Sequence, residues 1–328
     1  MDGQTETAMI RRKDEFMNRR ISLMAHGYEA WIDAGHGGSL IRLARPDLGA
    51  ESLRTPPADA EPENPFLYGT PPLLPPNRIE GAAFTFRGRR QTMPVNEPST
   101  GCQLHGALHG MPMEVTRQTE DAVSLRFAAK SGEYLNLTYA FEVNLRYQLS
   151  GQGIAQEVSI TNQGDEPMPA GIGWHTTFQI PFVAGSEPEN VRLRLSVGRE
   201  YLRNMETFLP TWQWVDDSVD RRRLEAGEIT PCQETFSRHF RQTAPHRMVL
   251  TDIRVGVRIV YDTPQYDFWM LYNGGNSEFV CVEPQSWVIN APHAPWPEQE
   301  TGLVALKPGE TARYAAKISI EKLYKEAR

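Results

Sequence analysis

Leu135-Asn-Leu-Thr-Tyr-Ala-Phe-Glu-Val-Asn-Leu-Arg-Tyr-Gln-Leu-Ser150 carries an apolar residue at every second position: Leu135, Leu137, Tyr139, Phe141, Val143, Leu145, Tyr147 and Leu149. Between them stand Asn136, Thr138, Glu142, Asn144, Arg146 and Gln148. A period of two places all the apolar side chains on one face of an extended chain, so the stretch predicts a two-faced β-strand. Strands seldom exceed about 10 residues, so one bend or break is expected within it. The same alternation recurs at Val123-Leu125-Phe127, Val158-Ile160, Val191-Leu193-Leu195-Val197 and Val255-Val257-Ile259-Tyr261. Phe279-Val-Cys-Val-Glu283 is a shorter apolar strand. Phe84-Thr-Phe86, then Arg87-Gly88, then Arg89 onward reads as a hairpin closed at glycine. Gly35, Gly37 and Gly38 around His36 form a turn, with a strand from Ser39 and His36 at the surface. Long helical periodicity is scarce and strands do not alternate with helices. The fold class is therefore all-β, a large antiparallel sandwich or barrel.

No repeat of fixed period and no shift of composition divides the chain. Residues 1–20 are polar and mixed in charge, a short helix or loose arm of no assigned chemistry. Residues 21–328 are expected to form one large β domain. Residues 55–76 are rich in proline but contain Phe66 and Tyr68. Aromatic side chains gain by burial, so an ordered loop over the body is expected rather than a linker.

The 328 residues include 34 Lys+Arg against 41 Asp+Glu, a net charge of −7. That excludes general binding to a phosphate backbone, which needs a basic face, and no nucleic-acid partner is expected. The three cysteines, Cys102, Cys232 and Cys281, are far apart and form no CxxC pair, as expected of reduced thiols. No apolar run approaches the ~20 residues of a membrane span, and the start lacks the apolar core of a signal peptide. A cytoplasmic protein with no membrane partner is expected.

In four segments polar residues stand beside glycine or proline at strand ends. They are Asn77-Arg78-Ile79 with Gly81; Asn96 followed by Leu104-His105-Gly106; Gly173-Trp174-His175-Thr-Thr-Phe178; and Val282-Glu283-Pro284-Gln285. Singly, each reads as a solvated charge or a structural histidine. In this order they resemble the aldose 1-epimerase (galactose mutarotase) family. The resemblance runs from about Tyr28 to Ile320, including Leu306-Lys-Pro-Gly-Glu310 before a last alternating strand.

The resemblance implies a galactose mutarotase-like supersandwich with a sugar cleft, acting as an aldose 1-epimerase on a hexose or modified hexose, without cofactor or metal. It implies Glu283 as general base, His175 as general acid, and His105 and Arg78 as groups that bind and polarise the sugar. Asn96 and Gln285 stand in the same motifs as further substrate-binding positions. The partner implied is a small-molecule sugar, and a homodimer is left open. The chemistry needs such groups: one proton leaves the C1 hydroxyl and one reaches the ring oxygen, and a carboxylate with a protonated imidazole can do both. The two are expected on opposite sides of the hemiacetal, with the carboxylate raising the imidazole pKa.

Some residues depart from the pattern. His109 stands where many relatives have tryptophan, either a second substrate contact or, the simpler reading, a surface histidine. Gln233-Glu234-Thr-Phe236 matches a segment where the family carries aspartate, so Glu234 or Gln233 is assigned to the sugar hydroxyls and galactose as substrate is open to question. Arg221-Arg222-Arg223 and Arg89-Arg90 could serve an anionic sugar group or be solvated charges. Trp174, Phe178 and Trp269 read as core or as walls for a sugar ring, and Trp287 and Trp296 as candidate cleft residues. Two rival functions remain. A metal-dependent hydrolase would use His105 and His109 at i, i+4, but Gly106, Gly110 and Pro112 make a poor helix there. A non-catalytic carbohydrate-binding protein of the same fold is the second.

Overall fold

The computed structural model describes residues 20–57 and 62–323. Most of residues 1–20, the proposed arm, lies outside them, and the first strand starts at Arg20. The described chain is mostly antiparallel strands in two large sheets.

The first sheet has eight strands, in the order Glu114–Gln118, Ala122–Ala129, Phe141–Ser150, Gly153–Asn162, Thr311–Lys322, Val257–Asp262, Arg247–Asp252 and Val191–Leu195. The deciding stretch lies in its middle. Phe141–Ser150 alternates buried and part-exposed residues along its length. The alternation N-terminal to it is not strand: Leu135 and Asn136 take positive φ, 51° and 60°, and turn the chain. The expected break thus falls at its start, where left-handed backbone ends the pleat.

The second sheet runs Pro210–Val215, Val197–Arg203, Ser237–Gln242, Phe268–Tyr272, Phe279–Gln285, Gly173–Trp174 and Pro72–Leu73, with Thr177–Gln179 also paired to Phe279–Gln285. The run from Val191 to Val197 is two strands, one in each sheet. A smaller sheet of Arg20–Ala25, Tyr28–Asp33, Ser39–Arg45 and Ala50–Glu51 is tied to the first by Tyr28, whose hydroxyl donates to the Ile320 carbonyl at 3.0 Å. The hairpin is found as Ala83–Phe86 and Arg89–Thr92, with Arg87 and Gly88 both at positive φ.

The core lies between the large sheets. Trp174 donates to the Tyr266 hydroxyl at 2.7 Å and packs edge-on against Tyr147 at 6.4 Å. Trp269 and Phe178 meet Tyr261 at 6.1 and 5.8 Å. All three candidate walls are therefore core, each fully buried. Burying one large apolar side chain is worth about 1.5–3 kcal/mol. Trp287 is buried too, and donates to the Pro76 carbonyl at 3.1 Å. Trp296 packs at 5.3–5.6 Å from Tyr201, Trp212 and Trp214.

Cross-strand partners share a face of a sheet. The register pairs Tyr201 with His239, His239 with Met270, and Met270 with Glu283. The intervening row, Phe240, Trp269 and Pro284, belongs to the core face. Glu283 and His239 thus lie on the face turned away from the first sheet. No helix among the described residues is long and apolar enough to cross a membrane.

Candidate active site

Glu283 sits within the Phe279–Gln285 strand, and His175 follows the neighbouring Gly173–Trp174 strand. His175 Nε2 lies 3.2 Å from Glu283 Oε1. The two are 5% and 2% exposed. The imidazole of His105, 7% exposed, stands edge-on to that of His175, ring centres 5.2 Å apart. Gln285 donates from Nε2 to Glu283 Oε2 at 3.1 Å.

Two short strands, Arg78–Ile79 and Gln103–Leu104, carry the remaining groups, with Arg78 paired to Leu104. The His105 amide donates to the Asn77 carbonyl at 2.9 Å. Asn77 and His105 both adopt left-handed backbone, φ 59° and 63°, which few non-glycine residues take. Arg78 makes a bidentate pair with Glu97, Nε to Oε2 at 2.7 Å and Nη2 to Oε1 at 2.6 Å, and lies over the Phe208 ring at 4.8 Å. Burial alone would raise Glu97; the Arg78 fork and the Thr100 hydroxyl overcome it and hold Glu97 below its ordinary value.

Asn96 does not point a free amide at this group. Its Nδ2 donates to the Leu104 carbonyl at 2.8 Å and its Oδ1 accepts from the Leu104 amide at 2.6 Å. It braces the residue before His105. Asn96→Ala is expected to cost about 1–2 kcal/mol in urea unfolding, the worth of the lost pair of hydrogen bonds. An unchanged midpoint would refute the bracing role. Glu234 is held by Arg223, at 2.8 and 2.5 Å, and Gln233 lies in the 3₁₀ turn before it. Arg222 is bound to Asp217 at 2.6 Å, Arg221 faces Glu225 at 3.5 Å, and Arg89 reaches Glu166 at 2.8 Å. These arginines are ion-paired to neighbouring carboxylates.

Phe66, on the proline-rich loop, packs against three histidine rings: His109 at 4.5 Å, His105 at 4.7 Å and His175 at 5.4 Å. The loop is thus laid over the body, and His109 is a partly buried neighbour of the site rather than a surface residue. His36 is partly exposed, its Nδ1 3.0 Å from Asp33 Oδ2.

Burial governs the titration of the pair. It pushes Glu283 up to about 8, against smaller opposing effects of Gln285, Arg203 and Arg78. It pushes His175 down to about 3, against the pull of the Phe66 and His175 peptide groups. The expected rise of the imidazole therefore does not occur, because desolvation by burial is the largest effect on it. Burial, and then the charges of His175, Arg78 and His109, keep His105 well below its ordinary value. Burial thus favours the uncharged form of each group, so that the pair shares one proton. At 3.2 Å the two are neighbours, not groups on opposite sides of a sugar. O1 and the ring oxygen share one carbon, so adjacent groups can address both. His105, His175 and Glu283 also place donor atoms within 4.8 Å of one another, donors of the kind a divalent ion takes. Binding an ion there would displace the shared proton.

Two neighbours carried no sequence signal: Arg203, at the end of its strand, and His239, inside a short run whose alternation is weak. Register places His239 two strands from Glu283 on the same face, and the fold brings the Arg203 charge to bear on the Glu283 carboxyl.

The family model of aldose 1-epimerase matches residues 19–319. The chain belongs to the aldose 1-epimerase family. It is 25% identical to the Escherichia coli protein YphB over 269 residues, 76% of this chain and 83% of that one. It is 29% identical to the Lactococcus lactis protein LacX over 205 residues, 56% of this chain and 62% of that one. Among solved structures, a galactose mutarotase-like protein from Clostridium acetobutylicum superposes with a TM-score of 0.86 at 27% identity, covering 93% of this chain and 95% of that one. A galactose 1-epimerase from Lactobacillus acidophilus, at 15% identity, shares the fold with a TM-score of 0.72, covering 93% of this chain and 95% of that one. The galactose mutarotase-like sandwich of this aldose epimerase family member thus extends over almost the whole chain.

Proposed function

We propose that this protein is an aldose 1-epimerase that interconverts the α and β anomers of a hexose or modified hexose. The observation that carries the reading is the buried 3.2 Å contact of His175 with Glu283, a single-proton acid–base pair. In the ionised arrangement of the pair, Glu283 takes the proton of the C1 hydroxyl and His175 gives one to the ring oxygen. The C1–O5 bond breaks and C1 becomes an aldehyde. Rotation about C1–C2 and the reverse transfers close the ring on the other face. Each residue ends as it began, so no cofactor is consumed and the same pair serves both directions. Each well-placed transfer contributes about 10²–10⁴ in rate. Arg78 and His105 orient the sugar oxygens, and Gln285 fixes the carboxyl rotamer. Asn96 positions His105, and Glu234 positions Arg223.

The test is anomeric exchange by NMR across galactose, glucose and 6-substituted hexoses. Exchange well above the spontaneous rate on at least one sugar is expected. Binding without exchange on any of them would instead assign a non-catalytic sugar-binding role.

A further inference from the structure

Among the described residues, His105, His175 and Glu283 are the one group of three histidine, cysteine or carboxylate side chains whose donor atoms all lie within 4.8 Å of one another. Three separate segments supply them: the turn after Gln103–Leu104, the turn after Gly173–Trp174, and the strand Phe279–Gln285. Zinc lies ~2.0–2.1 Å from a histidine nitrogen and ~2.0–2.2 Å from a carboxylate oxygen, which sets two tetrahedral ligands roughly 3.4 Å apart. His175 Nε2 and Glu283 Oε1 stand 3.2 Å apart, so one edge of such a tetrahedron is already built. With every separation inside 4.8 Å, bringing in the third donor takes a shift on the order of 1 Å.

The donors are held as ligands usually are. Gln285 Nε2 donates to Glu283 Oε2 at 3.1 Å and leaves Oε1 facing the histidines. The His105 backbone is fixed by its amide bond to the Asn77 carbonyl at 2.9 Å. His105 Nδ1 and His175 Nδ1 are buried and have no partner. A neutral imidazole carries a proton on one nitrogen and a lone pair on the other, and here no partner at Nδ1 pins the choice. Either ring can therefore turn a lone pair toward the shared space. The same lack of an outer partner weakens metal affinity by about 10- to 100-fold, as expected of an exchangeable ion rather than a permanent one.

We infer that His105, His175 and Glu283 form a site for one divalent first-row transition ion of the zinc class, and that the bound ion blocks proton transfer. The blocking rests on the anomerase reading; the site itself does not. Two imidazoles and a carboxylate suit zinc, cobalt or nickel, whereas magnesium and calcium take shells of oxygen. The ion needs only the space between the donors, and both histidines keep a little exposure through which it can enter. It bonds to Glu283 Oε1 and His175 Nε2, the atoms that exchange protons with the sugar, and holds both lone pairs.

The experiment titrates Zn²⁺ by calorimetry, and Co²⁺ by its visible absorption, into EDTA-treated wild type, His105→Gln, Glu283→Gln and His36→Gln. Thermal unfolding confirms that each is folded, and exchange NMR follows anomerisation with and without Zn²⁺. Wild type is expected to bind one Zn²⁺ per chain, to gain in unfolding midpoint from it, and to ignore Mg²⁺ at the same concentration. His105→Gln and Glu283→Gln should each weaken Zn²⁺ binding by more than about 10- to 100-fold, since even an outer partner is worth that much. His36→Gln is the control, because His36 and Asp33, 3.0 Å apart, are another histidine–carboxylate pair. Folded wild type that binds no Zn²⁺ would overturn the inference. So would binding that survives both His105→Gln and Glu283→Gln, or that is lost in His36→Gln. Exchange that continues undiminished with the site filled would overturn the blocking. Zn²⁺ binding that depends on His105 and Glu283, in a protein that exchanges no sugar even without the ion, would support the site while refuting the anomerase reading.

Discussion

Glu283→Gln is expected to reduce catalysed anomerisation by about 10²–10⁴-fold while leaving the protein folded and, at alkaline pH, more stable than wild type. The substitution is isosteric. The new amide can donate to His175 Nε2, and its oxygen can accept from Gln285 Nε2, the contacts the carboxyl now makes at 3.2 and 3.1 Å. What disappears is the group that exchanges the proton. The stability effect follows from linkage. Glu283 rises from 4.5 to about 8 on folding, so its contribution is present below pH 4.5 and lost as pH rises through 8. His175 falls from 6.5 to about 3, so its contribution is present above 6.5 and lost as pH falls through 3. Between pH 4.5 and 6.5 the folded and unfolded pair each bind one proton, and the pair adds no slope. From 6.5 to 8 only the folded pair keeps its proton, and wild type should lose about 2 kcal/mol. Urea unfolding at pH 6.5 and 8 reads this directly. The variant should show no such decline. Undiminished exchange in Glu283→Gln would remove the residue from the chemistry, and parallel pH curves would show that the carboxyl does not hold the proton.

The second large effect concerns Gly106, the residue after His105. Its φ is +67°, and a Cβ there would lie 1.7 Å from the Leu74 carbonyl oxygen and 2.2 Å from its carbon. Neither atom can yield, because both are backbone. Gly106→Ala should therefore cost more than about 4 kcal/mol, a value reached only through severe mechanisms such as this clash. That is a large part of the 5–15 kcal/mol that holds a typical domain together. Gly88→Ala is the control. Its φ is +81°, but nothing lies within 4 Å of the added carbon, so only the left-handed backbone is penalised, by about 1–2 kcal/mol. Equal unfolding midpoints for the two variants would show that the loop carrying His105 is not clamped as described.

Glycine and histidine are adjacent here for a reason that sequence alone shows only in part. Leu104-His105-Gly106 stood out as a motif, but that the chain must pass against Leu74 is a contact between distant segments. The same division runs through the molecule. Alternation located Phe141–Ser150, Gly153–Asn162 and Val257–Asp262, since a half-buried strand needs one apolar face. It carried too far at Leu135 and Asn136, because periodicity does not register left-handed backbone. The motif order singled out Arg78, His105, His175 and Glu283, and the fold draws His105, His175 and Glu283 together within 4.8 Å.

Asn96 and Glu234 carry the right functional groups, but which partners capture them, Leu104 and Arg223, is decided by packing. The sequence by itself determined an all-β chain, its main strands and the residue types able to move a proton, because periodicity and side-chain chemistry are local properties. Only the tertiary structure decided that burial raises Glu283 and lowers His175, and that acid and base are neighbours. Desolvation and pairing depend on what surrounds a group, and here that surrounding comes from segments far apart in the chain.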